Sequence, residues 1–197
     1  MIDRPYAESA EQNKYVIFDV IKSCLQGEVL EIGSGTGQHA VYFASQMPQI
    51  RWQTSEVAAN LPGIEAWIED SGLANLLAPI ELDVHGAWPV HLYDLVYSAN
   101  CFHIMGKDAV ARCIEGVGNC LKPGGVFALY GPFNYGGAYT SESNARFDQM
   151  LRARDPASGI KDFEWVEELA NGVQLQLRED VAMPANNRIL IWQKRTL

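Results

Sequence analysis

The stretch Glu31-Ile32-Gly33-Ser34-Gly35-Thr36-Gly37 decides the fold of this chain. Its first two residues end the run 29–32, which is mostly apolar and typical of a short buried strand. The stretch precedes the apolar stripe of residues 40–47, which is typical of a helix. Glycines at such a turn let the backbone bend sharply and approach a ligand closely, with the amino end of the helix behind it. The stretch therefore predicts a ligand site, although the same glycines would also suit a tight turn without a ligand.

The spacing of these glycines separates the loop from two other glycine-rich loops. A phosphate-binding P-loop ends in Gly-Lys-Ser/Thr, whereas Gly37 is followed here by Gln38 and His39. A dinucleotide fingerprint would need its third glycine at position 38, so a nicotinamide dehydrogenase is disfavoured. Glu31 adds nothing to a pyrophosphate site, but its carboxylate would pair with the ammonium group of a ligand that has an amino-acid end.

Strand-like and helix-like segments alternate on both sides of this stretch. Helices are expected at 9–25, 40–47, 61–71 and 110–121, and strands at 29–32, 50–55, 79–84, 94–98 and 126–130. The spacing of Ser9 and Gln12 predicts a capping box at the first helix. After Gly131, helices are expected at 143–154 and 163–169, followed by an antiparallel hairpin of residues 173–181 and 188–194. This alternation is typical of a parallel sheet with helices on both faces.

The chain resembles the class I S-adenosylmethionine-dependent methyltransferases, whose signature after the first strand is E/D-x-G-x-G-x-G. The run Leu121-Lys122-Pro123-Gly124-Gly125 also matches the turn before their fifth strand. The resemblance covers roughly residues 28–132. It implies an α/β, Rossmann-like fold with a mostly parallel seven-stranded sheet, helices on both faces and a closing antiparallel hairpin. The expected single domain consists of a lid helix (1–27), a cofactor-binding core (28–132), a substrate-cap insertion (133–171) and the hairpin (172–197).

This resemblance implies S-adenosyl-L-methionine as the cofactor and S-adenosyl-L-homocysteine as the product. Glu56 would bind the ribose hydroxyls, Asp83 would accept from the adenine amino group, and the backbone at Ala99-Asn100 would lie beside the methionine moiety. The alternative for both acids is a solvated strand-end residue, and the alternative for His39 is an exposed helical residue. The full expected set is Glu31, Gly33, Ser34, Gly35, Gly37, His39, Glu56, Asp83, Val84, Ala99 and Asn100.

Polar residues after the fourth and fifth strands are candidates for chemistry, because ligands collect at the carboxyl ends of parallel strands. His103 could take a proton from an acceptor hydroxyl, amine or thiol, or it could simply fix its loop by hydrogen bonds. Tyr130 is the second expected catalytic residue. Cys101 and His103 alone do not make a metal site, so no metal is expected. The expected substrate-binding residues are Tyr6, Asn13, Lys14, His103, Asn134 and Tyr135.

A narrower resemblance involves the later part of the chain. Asn13-Lys14, the run from Ser143-Asn144 to Phe147-Asp148, Arg154-Asp155-Pro156 and Gly159-Ile160 are similar to an uncharacterised methyltransferase-like family. That family is grouped as a domain of unknown function and occurs in bacteria and animals. It implies no particular substrate.

Composition narrows the partners and the compartment. The 197 residues carry 15 basic and 24 acidic side chains, a net charge of −9 that disfavours nucleic acid. No apolar run reaches the ~18 residues of a membrane span, and residues 1–5 show no secretory signal. Four cysteines without a C-x-x-C pair favour reduced thiols and a cytoplasmic location. Monomer and homodimer both remain open.

The sequence therefore predicts a methyltransferase that acts on a small molecule. The alternative is a non-catalytic module that binds S-adenosylmethionine or S-adenosylhomocysteine for sensing or for a protein partner. That alternative is favoured by the absence of an N/D-P-P-Y/F motif after the fourth strand, where Ser98-Ala99-Asn100-Cys101 stands instead. The same departure disfavours methylation of amino groups in nucleobases or glutamine.

Overall fold

The computed structural model describes residues 4–196, which form nine strands and six α-helices. The strands are β1 (Glu28–Ile32), β2 (Arg51–Glu56), β3 (Leu76–Glu81), β4 (Tyr93–Ala99), β5 (Leu121–Gly131), β6 (Phe133–Asn134), β7 (Lys161–Asp162), β8 (Leu175–Met183) and β9 (Asn187–Lys194). The helices are α1 (Glu8–Ile21), α2 (Gln38–Gln46), α3 (Leu61–Ser71), α4 (Lys107–Cys120), α5 (Glu142–Arg154) and α6 (Phe163–Gly172). Two single 3₁₀ turns, Ala58–Asn60 and Pro184–Asn186, complete these elements.

Seven strands form one sheet in the order β3-β2-β1-β4-β5-β9-β8. The five strands from β1 to β5 pair in parallel. Strand β9 runs antiparallel to both of its neighbours, β5 and β8. The expected mostly parallel sheet with a closing antiparallel hairpin is therefore confirmed. This topology brings the carboxyl ends of β1, β4 and β5 to one edge, where a ligand site is expected.

Helices cover both faces of the sheet, because alternate side chains of each central strand point to opposite faces. In β4, Leu95 and Tyr97 pack in a buried cluster with residues of α1 and α2. Val96, between them, packs in the other buried cluster with residues of α4 and α6. Both faces of β4 are thus apolar at its centre, which explains why the consecutive residues 95–97 are all apolar or aromatic.

Several element boundaries differ from the prediction by a few residues; β5, for example, begins at Leu121 rather than at 126. Two of these differences bear on the site. Helix α1 begins at Glu8 after the N-cap residue Ala7, so the capping box expected at Ser9 is wrong. Instead, the Ala7 N–H donates to Oε1 of Gln38 at 2.7 Å, a tertiary contact that joins the starts of α1 and α2. Strand β3 ends at Glu81, so the residues at 83 and 84 lie in the turn that follows rather than in the strand.

A second, two-stranded sheet was not predicted. Strands β6 and β7 pair in parallel, with Phe133 opposite Lys161 and Asn134 opposite Asp162. Strands of two residues have no periodic pattern, so the sequence could not reveal them. This small sheet joins the two ends of the segment that contains α5. The segment is thereby held beside the end of β5.

Candidate functional site

The glycine loop after β1 requires glycine for two different reasons. Gly33, Gly35 and Gly37 all have positive φ angles, of 68°, 57° and 89°, which other residues rarely adopt. A Cβ atom on Gly33 would lie 2.3 Å from Sγ of Cys101, whereas a Cβ atom on Gly35 would have no protein atom within 4 Å. Gly33 is therefore needed for close packing within the protein. Gly35 faces open space that a ligand can use.

Glu31, at the end of β1, has a buried carboxylate with a 2% exposed side chain. One oxygen accepts a hydrogen bond from Nε1 of Trp52 at 3.0 Å. Burial raises the pKa of Glu31 to about 7, against the smaller lowering by hydrogen bonds from Trp52 and Ser34, and no cation in residues 4–196 acts on it. A buried carboxylate without a counter-ion fits an ammonium group of a ligand. The contribution of Trp52 was not predicted from the sequence.

The next two strand ends place acids at the same edge of the sheet. The loop is joined to the end of β2, because the Ser55 N–H donates to Oγ of Ser34 at 3.1 Å. The half-buried Glu56 follows, and its carboxylate accepts from the Val57 N–H at 2.5 Å. Asp83 is exposed, and its Oδ1 accepts from the N–H two residues later at 2.9 Å. Both acids thus bind neighbouring backbone amides, and their contact with a nucleoside stays a prediction, as does that of Val84.

His39, at the start of α2, is buried rather than exposed. Its Nε2 lies 2.7 Å from Oδ1 of Asn13, and its Nδ1 lies 3.1 Å from the Tyr97 hydroxyl. Burial lowers the pKa of His39 to about 4, so the ring is neutral at pH 7. The assigned tautomer donates from Nε2 to Asn13 and accepts at Nδ1 from Tyr97. Both ring nitrogens of His39 are engaged within the protein, which ties α1 to α2 and β4.

The chain leaves β4 through a sharp turn. Asn100 has a φ of 59°, and its N–H donates to the carbonyl of Tyr130 at 2.9 Å. Asparagine adopts this backbone conformation more readily than other non-glycine residues. Next, Sγ of Cys101 lies 3.6 Å from the Gly33 carbonyl oxygen. The turn therefore folds back onto the glycine loop. It joins the two halves of the expected site, which are the glycine loop after β1 and the residues that follow β4.

A cavity of about 470 Å³ opens beside this turn, at the carboxyl ends of β4 and β5. Its size lies within the range of small-molecule sites. It is lined by residues from the exits of β4 and β5, from α1 and α5, and from the turn between β8 and β9. These residues are Ser9, Asn100, His103, Pro132, Ser143, Asn144, Phe147, Ala185 and Asn187. Of these, Asn100 and His103 were predicted site residues.

His103 lies in the wall of this cavity and is 8% exposed. Its ring packs edge-on against Phe147, with 5.1 Å between the ring centroids. Burial lowers the pKa of His103 to about 4, with a smaller contribution from the positive charge of Lys161. Among residues 4–196, no side-chain hydrogen bond involves its ring nitrogens. The cavity therefore contains a neutral imidazole that can accept a proton.

Tyr130 reaches the cavity only through another residue. Its side chain is buried, and its hydroxyl accepts from Nδ2 of Asn187 at 2.9 Å. Burial raises the pKa of Tyr130, so the hydroxyl keeps its proton at neutral pH. Asn187 is the residue that faces the cavity. It was missed because Pro-Ala-Asn-Asn between two strands is typical of a turn and carries no further pattern.

The other predicted substrate-binding residues do not gather beside the cavity histidine. Tyr6 is 58% exposed, and Lys14 forms an ion pair within α1 at 2.5 Å. Asn134 lines a different cavity, and Tyr135 stacks on Phe163 with 5.1 Å between the ring centroids. Asn13 contacts Nε2 of His39 at 2.7 Å, so the structure separates these five residues into at least three places. Their roles in binding a substrate stay predictions.

Two further features of the described residues concern metals and membranes. The part of the chain that the structure describes contains no cluster of three or more potential metal-ligating His, Cys, Asp or Glu side chains. None of its helices combines the length and apolar character needed to cross a membrane. The four cysteines are free, and burial raises the pKa of Cys101 to about 11. That thiol is therefore protonated at neutral pH and serves packing rather than nucleophilic chemistry.

Comparison with known protein families shows the family of this chain. A family model described as "Protein of unknown function (DUF938)" matches residues 4–194. The chain belongs to this family. The match includes the glycine loop, the exit of β4 and the segment around α5, so the whole candidate site of this DUF938 protein lies within the matched residues.

Solved structures show which fold the DUF938 protein has. An O-methyltransferase family protein from Burkholderia thailandensis matches with a TM-score of 0.85 at 15% identity, over 95% of this chain and 57% of that one. An O-methyltransferase family 2 protein from Planctomyces limnophilus, solved in complex with apigenin, matches with a TM-score of 0.82 at 15% identity. The match covers 94% of this chain and 60% of that one. Human N-acetylserotonin methyltransferase, in complex with SAM, matches with a TM-score of 0.78 at 14% identity. The match covers 96% of this chain and 53% of that one.

These matches confirm the class I methyltransferase fold that the sequence predicted. Identities of 14–16% support the fold and do not transfer a substrate. The chain spans between 53% and 60% of the length of these relatives. Their activities therefore cannot be assigned to this chain from the fold alone, and function must be argued from the site.

Proposed function

We propose that this protein is an S-adenosyl-L-methionine-dependent methyltransferase that acts on the hydroxyl group of a small molecule. The buried, unpaired carboxylate of Glu31 beside the open backbone at Gly35 is the observation that carries the proposal. When bound, the cofactor supplies an electrophilic methyl group on a sulfonium. The protein then has to hold the acceptor in line, exclude water and take the acceptor's proton.

The cofactor fits the residues of the first site in three respects. Glu31 would hold the ammonium group, and the carboxylates of Glu56 and Asp83 lie at successive strand ends where the ribose and adenine would follow. The amino-terminal segment is fixed nearby, because Nε1 of Trp67 donates to the Pro5 carbonyl at 2.7 Å. This contact supports a role of residues 4–27 as a lid over the cofactor. Relatives of the same fold include one in complex with SAM.

A hydroxyl acceptor fits the second part of the site. His103 is neutral at physiological pH and faces a cavity of about 470 Å³, so it can take the proton that a hydroxyl loses during methylation. An acceptor amine or thiol would also need a base, and the names of the structural relatives favour oxygen. One of those relatives is in complex with apigenin, a small molecule. The family of unknown function is, on this proposal, the methyltransferase-like family that the sequence resembles.

The first test is binding of S-adenosyl-L-homocysteine by titration calorimetry between pH 5 and 9. The free carboxyl of Glu31 has a pKa of about 7, and an ammonium partner favours its ionised form, so binding releases a proton below that pH. Affinity should therefore rise as the pH increases to about 7. It should fall again only at higher pH, where the ligand's amino group loses its charge. In Glu31→Gln, the affinity should no longer rise as the pH increases to about 7. This variant should bind S-adenosyl-L-homocysteine about tenfold more weakly at pH 7.5.

Glu28→Gln is the matched control for this experiment. Glu28 lies at the opposite end of the same strand and is paired with Arg51 and His91, so its substitution should leave both the affinity and the pH profile unchanged. If the affinity of Glu31→Gln still rises with pH up to about 7, then Glu31 does not bind the ligand's ammonium group. If neither S-adenosylmethionine nor its product binds, the proposed function is wrong. Binding without methylation of any hydroxylated acceptor would instead support the non-catalytic module.

A further inference from the structure

A second cavity, of about 540 Å³, lies against the small sheet of β6 and β7. Its walls come from the start of α4, the end of α5, the loop 156–160 and the start of α6. The lining residues are Lys107, Asn134, Gly137, Tyr139, Arg152, Pro156, Ala157, Ser158, Ile160, Lys161, Asp162 and Trp165. It shares no lining residue with the cavity that contains His103. Neither the glycine loop nor the acids at the strand ends contribute to it.

A buried lysine forms part of this second cavity. Lys161 is 5% exposed, and its Nζ donates to the carbonyls of Met105 and Gly159, both at 2.7 Å. An ammonium group has three donors, so one N–H remains for a ligand. Burial lowers the pKa of Lys161 to about 8, so most of the lysine is still charged at pH 7. The charged groups that also act on it are Arg152, Asp148, Lys107 and Asp155.

Two more cations line the same space. The Nζ of Lys107 lies 5.3 Å from the ring centroid of Trp165, with no carboxylate in an ion pair with it among the described residues. Arg152 donates from Nε to Asp148 at 2.7 Å, which leaves its terminal nitrogens for other partners. Asp162 contributes one carboxylate to the walls. Asp148 offsets the charge of Arg152, so Lys161 and Lys107 against Asp162 leave this cavity with a net positive charge in a protein whose net charge is −9.

An unsatisfied amide in the wall is an independent indication of a ligand. Asn134 is 8% exposed, and its Oδ1 has no hydrogen-bond partner. A buried amide without a partner is unfavourable, so such groups are usually satisfied by water or by a ligand. The oxygen and nitrogen ends of an asparagine are interchangeable when no neighbour fixes them, so the amide can also donate.

We propose that this second cavity binds the oxyanion group, carboxylate or phosphate, of a small molecule. Lys161, Lys107 and Arg152 provide the charge and Asn134 a neutral hydrogen bond. The site is linked to the first cavity, because the Gly159 N–H donates to the carbonyl of His103 at 2.9 Å. An anion on Lys161 would therefore lie next to the segment that holds the histidine. The inference does not depend on methyl transfer, since binding can be measured without the cofactor.

The test is a titration of the full chain, without cofactor, followed by ¹H–¹⁵N NMR at constant ionic strength. Inorganic phosphate is the probe in one arm and succinate in the other, which separates the two sources of the oxyanion. Saturable shifts are expected at the amides of Asn134 and residues 158–162. Lys107→Met should weaken binding about tenfold, since it removes one charge-assisted contact. Affinity should also fall as the pH rises through about 8, where Lys161 loses its proton.

Lys122→Met is the matched control, because Lys122 pairs with Asp94 at 2.8 Å elsewhere on the surface. It should leave the affinity unchanged. Lys161→Arg keeps a positive charge that is not lost in this pH range, so its affinity should not fall between pH 7 and 9. No saturable shift with either probe at millimolar concentration would overturn the proposal. An equal loss of affinity in Lys107→Met and Lys122→Met would also overturn the proposal, since binding would then depend only on the overall charge of the protein.

Discussion

Replacement of His103 by Asn should lower the turnover number for a hydroxylated acceptor by about 100-fold to 10,000-fold. Asparagine keeps the polarity and approximate size of the side chain but cannot take a proton at neutral pH. Because burial lowers the pKa of His103 to about 4, the basic form predominates from pH 5 upward. The wild-type rate should therefore not fall between pH 7 and 5 on account of this histidine, and it should fall as the pH approaches 4. Formation of S-adenosylhomocysteine, measured by chromatography over a panel of phenols, gives both results.

The affinity for S-adenosylhomocysteine should be nearly the same in His103→Asn and the wild type, which separates catalysis from cofactor binding. His85→Asn is the control, since His85 lies exposed in the turn after β3 and its side chain makes, among residues 4–196, only a long contact of 3.6 Å with Asp108. The backbone N–H of residue 85, which donates to Asp83, is unchanged by the substitution. That variant should methylate the same phenols at the wild-type rate. An unchanged turnover number in His103→Asn would show that the histidine only packs against Phe147 and that the acceptor's proton leaves by another route.

The fold was predictable because strong local patterns agreed with one another. The glycine loop, the apolar residues of β4 and the run 121–125, which begins β5, each indicate their element within a short window, and their order then leaves one topology. The boundaries that were wrong depend on distant contacts. The start of α1 is one such boundary, since it depends on the contact between Ala7 and Gln38, which lie 31 residues apart.

The candidate site was predictable where a residue type is needed for its backbone or charge. Glu31 and Gly33 belong to this group, since position in the motif decides their surroundings. Residues that act through burial were not predictable. His39 follows the motif as a ligand would, yet its two nitrogens bind Asn13 and Tyr97 from other elements. No pattern in one sequence shows which helix will cover a polar side chain, so this network needed the structure.

Gly33→Ala should lower the free energy of unfolding by about 3 kcal/mol. The alanine would have to keep a φ of 68°, which costs about 1–2 kcal/mol. Its Cβ would also lie 2.3 Å from Sγ of Cys101, and overpacking of this kind costs a further 1–3 kcal/mol. The Cβ of Cys101 lies 3.6 Å away, which is ordinary contact, so only the sulfur is in conflict. In a Cys101→Ala background, the same substitution should therefore cost only about 1–2 kcal/mol, the conformational part. Urea denaturation of the wild type, the two single variants and the double variant measures the coupling.

Gly35→Ala is the matched control, because Gly35 has a φ of 57° but a Cβ atom at this position would have no protein atom within 4 Å. It should cost only the conformational part, about 1–2 kcal/mol, and Cys101→Ala should not change that cost. Its methyl group would instead enter the open side of the loop, so it should weaken binding of S-adenosylhomocysteine more than it weakens the fold. Equal stability losses in Gly33→Ala and Gly35→Ala, with no coupling to Cys101, would mean that the sulfur moves aside freely. The turn after β4 would then not be held against the glycine loop, and the two halves of the site would be joined only by the sheet.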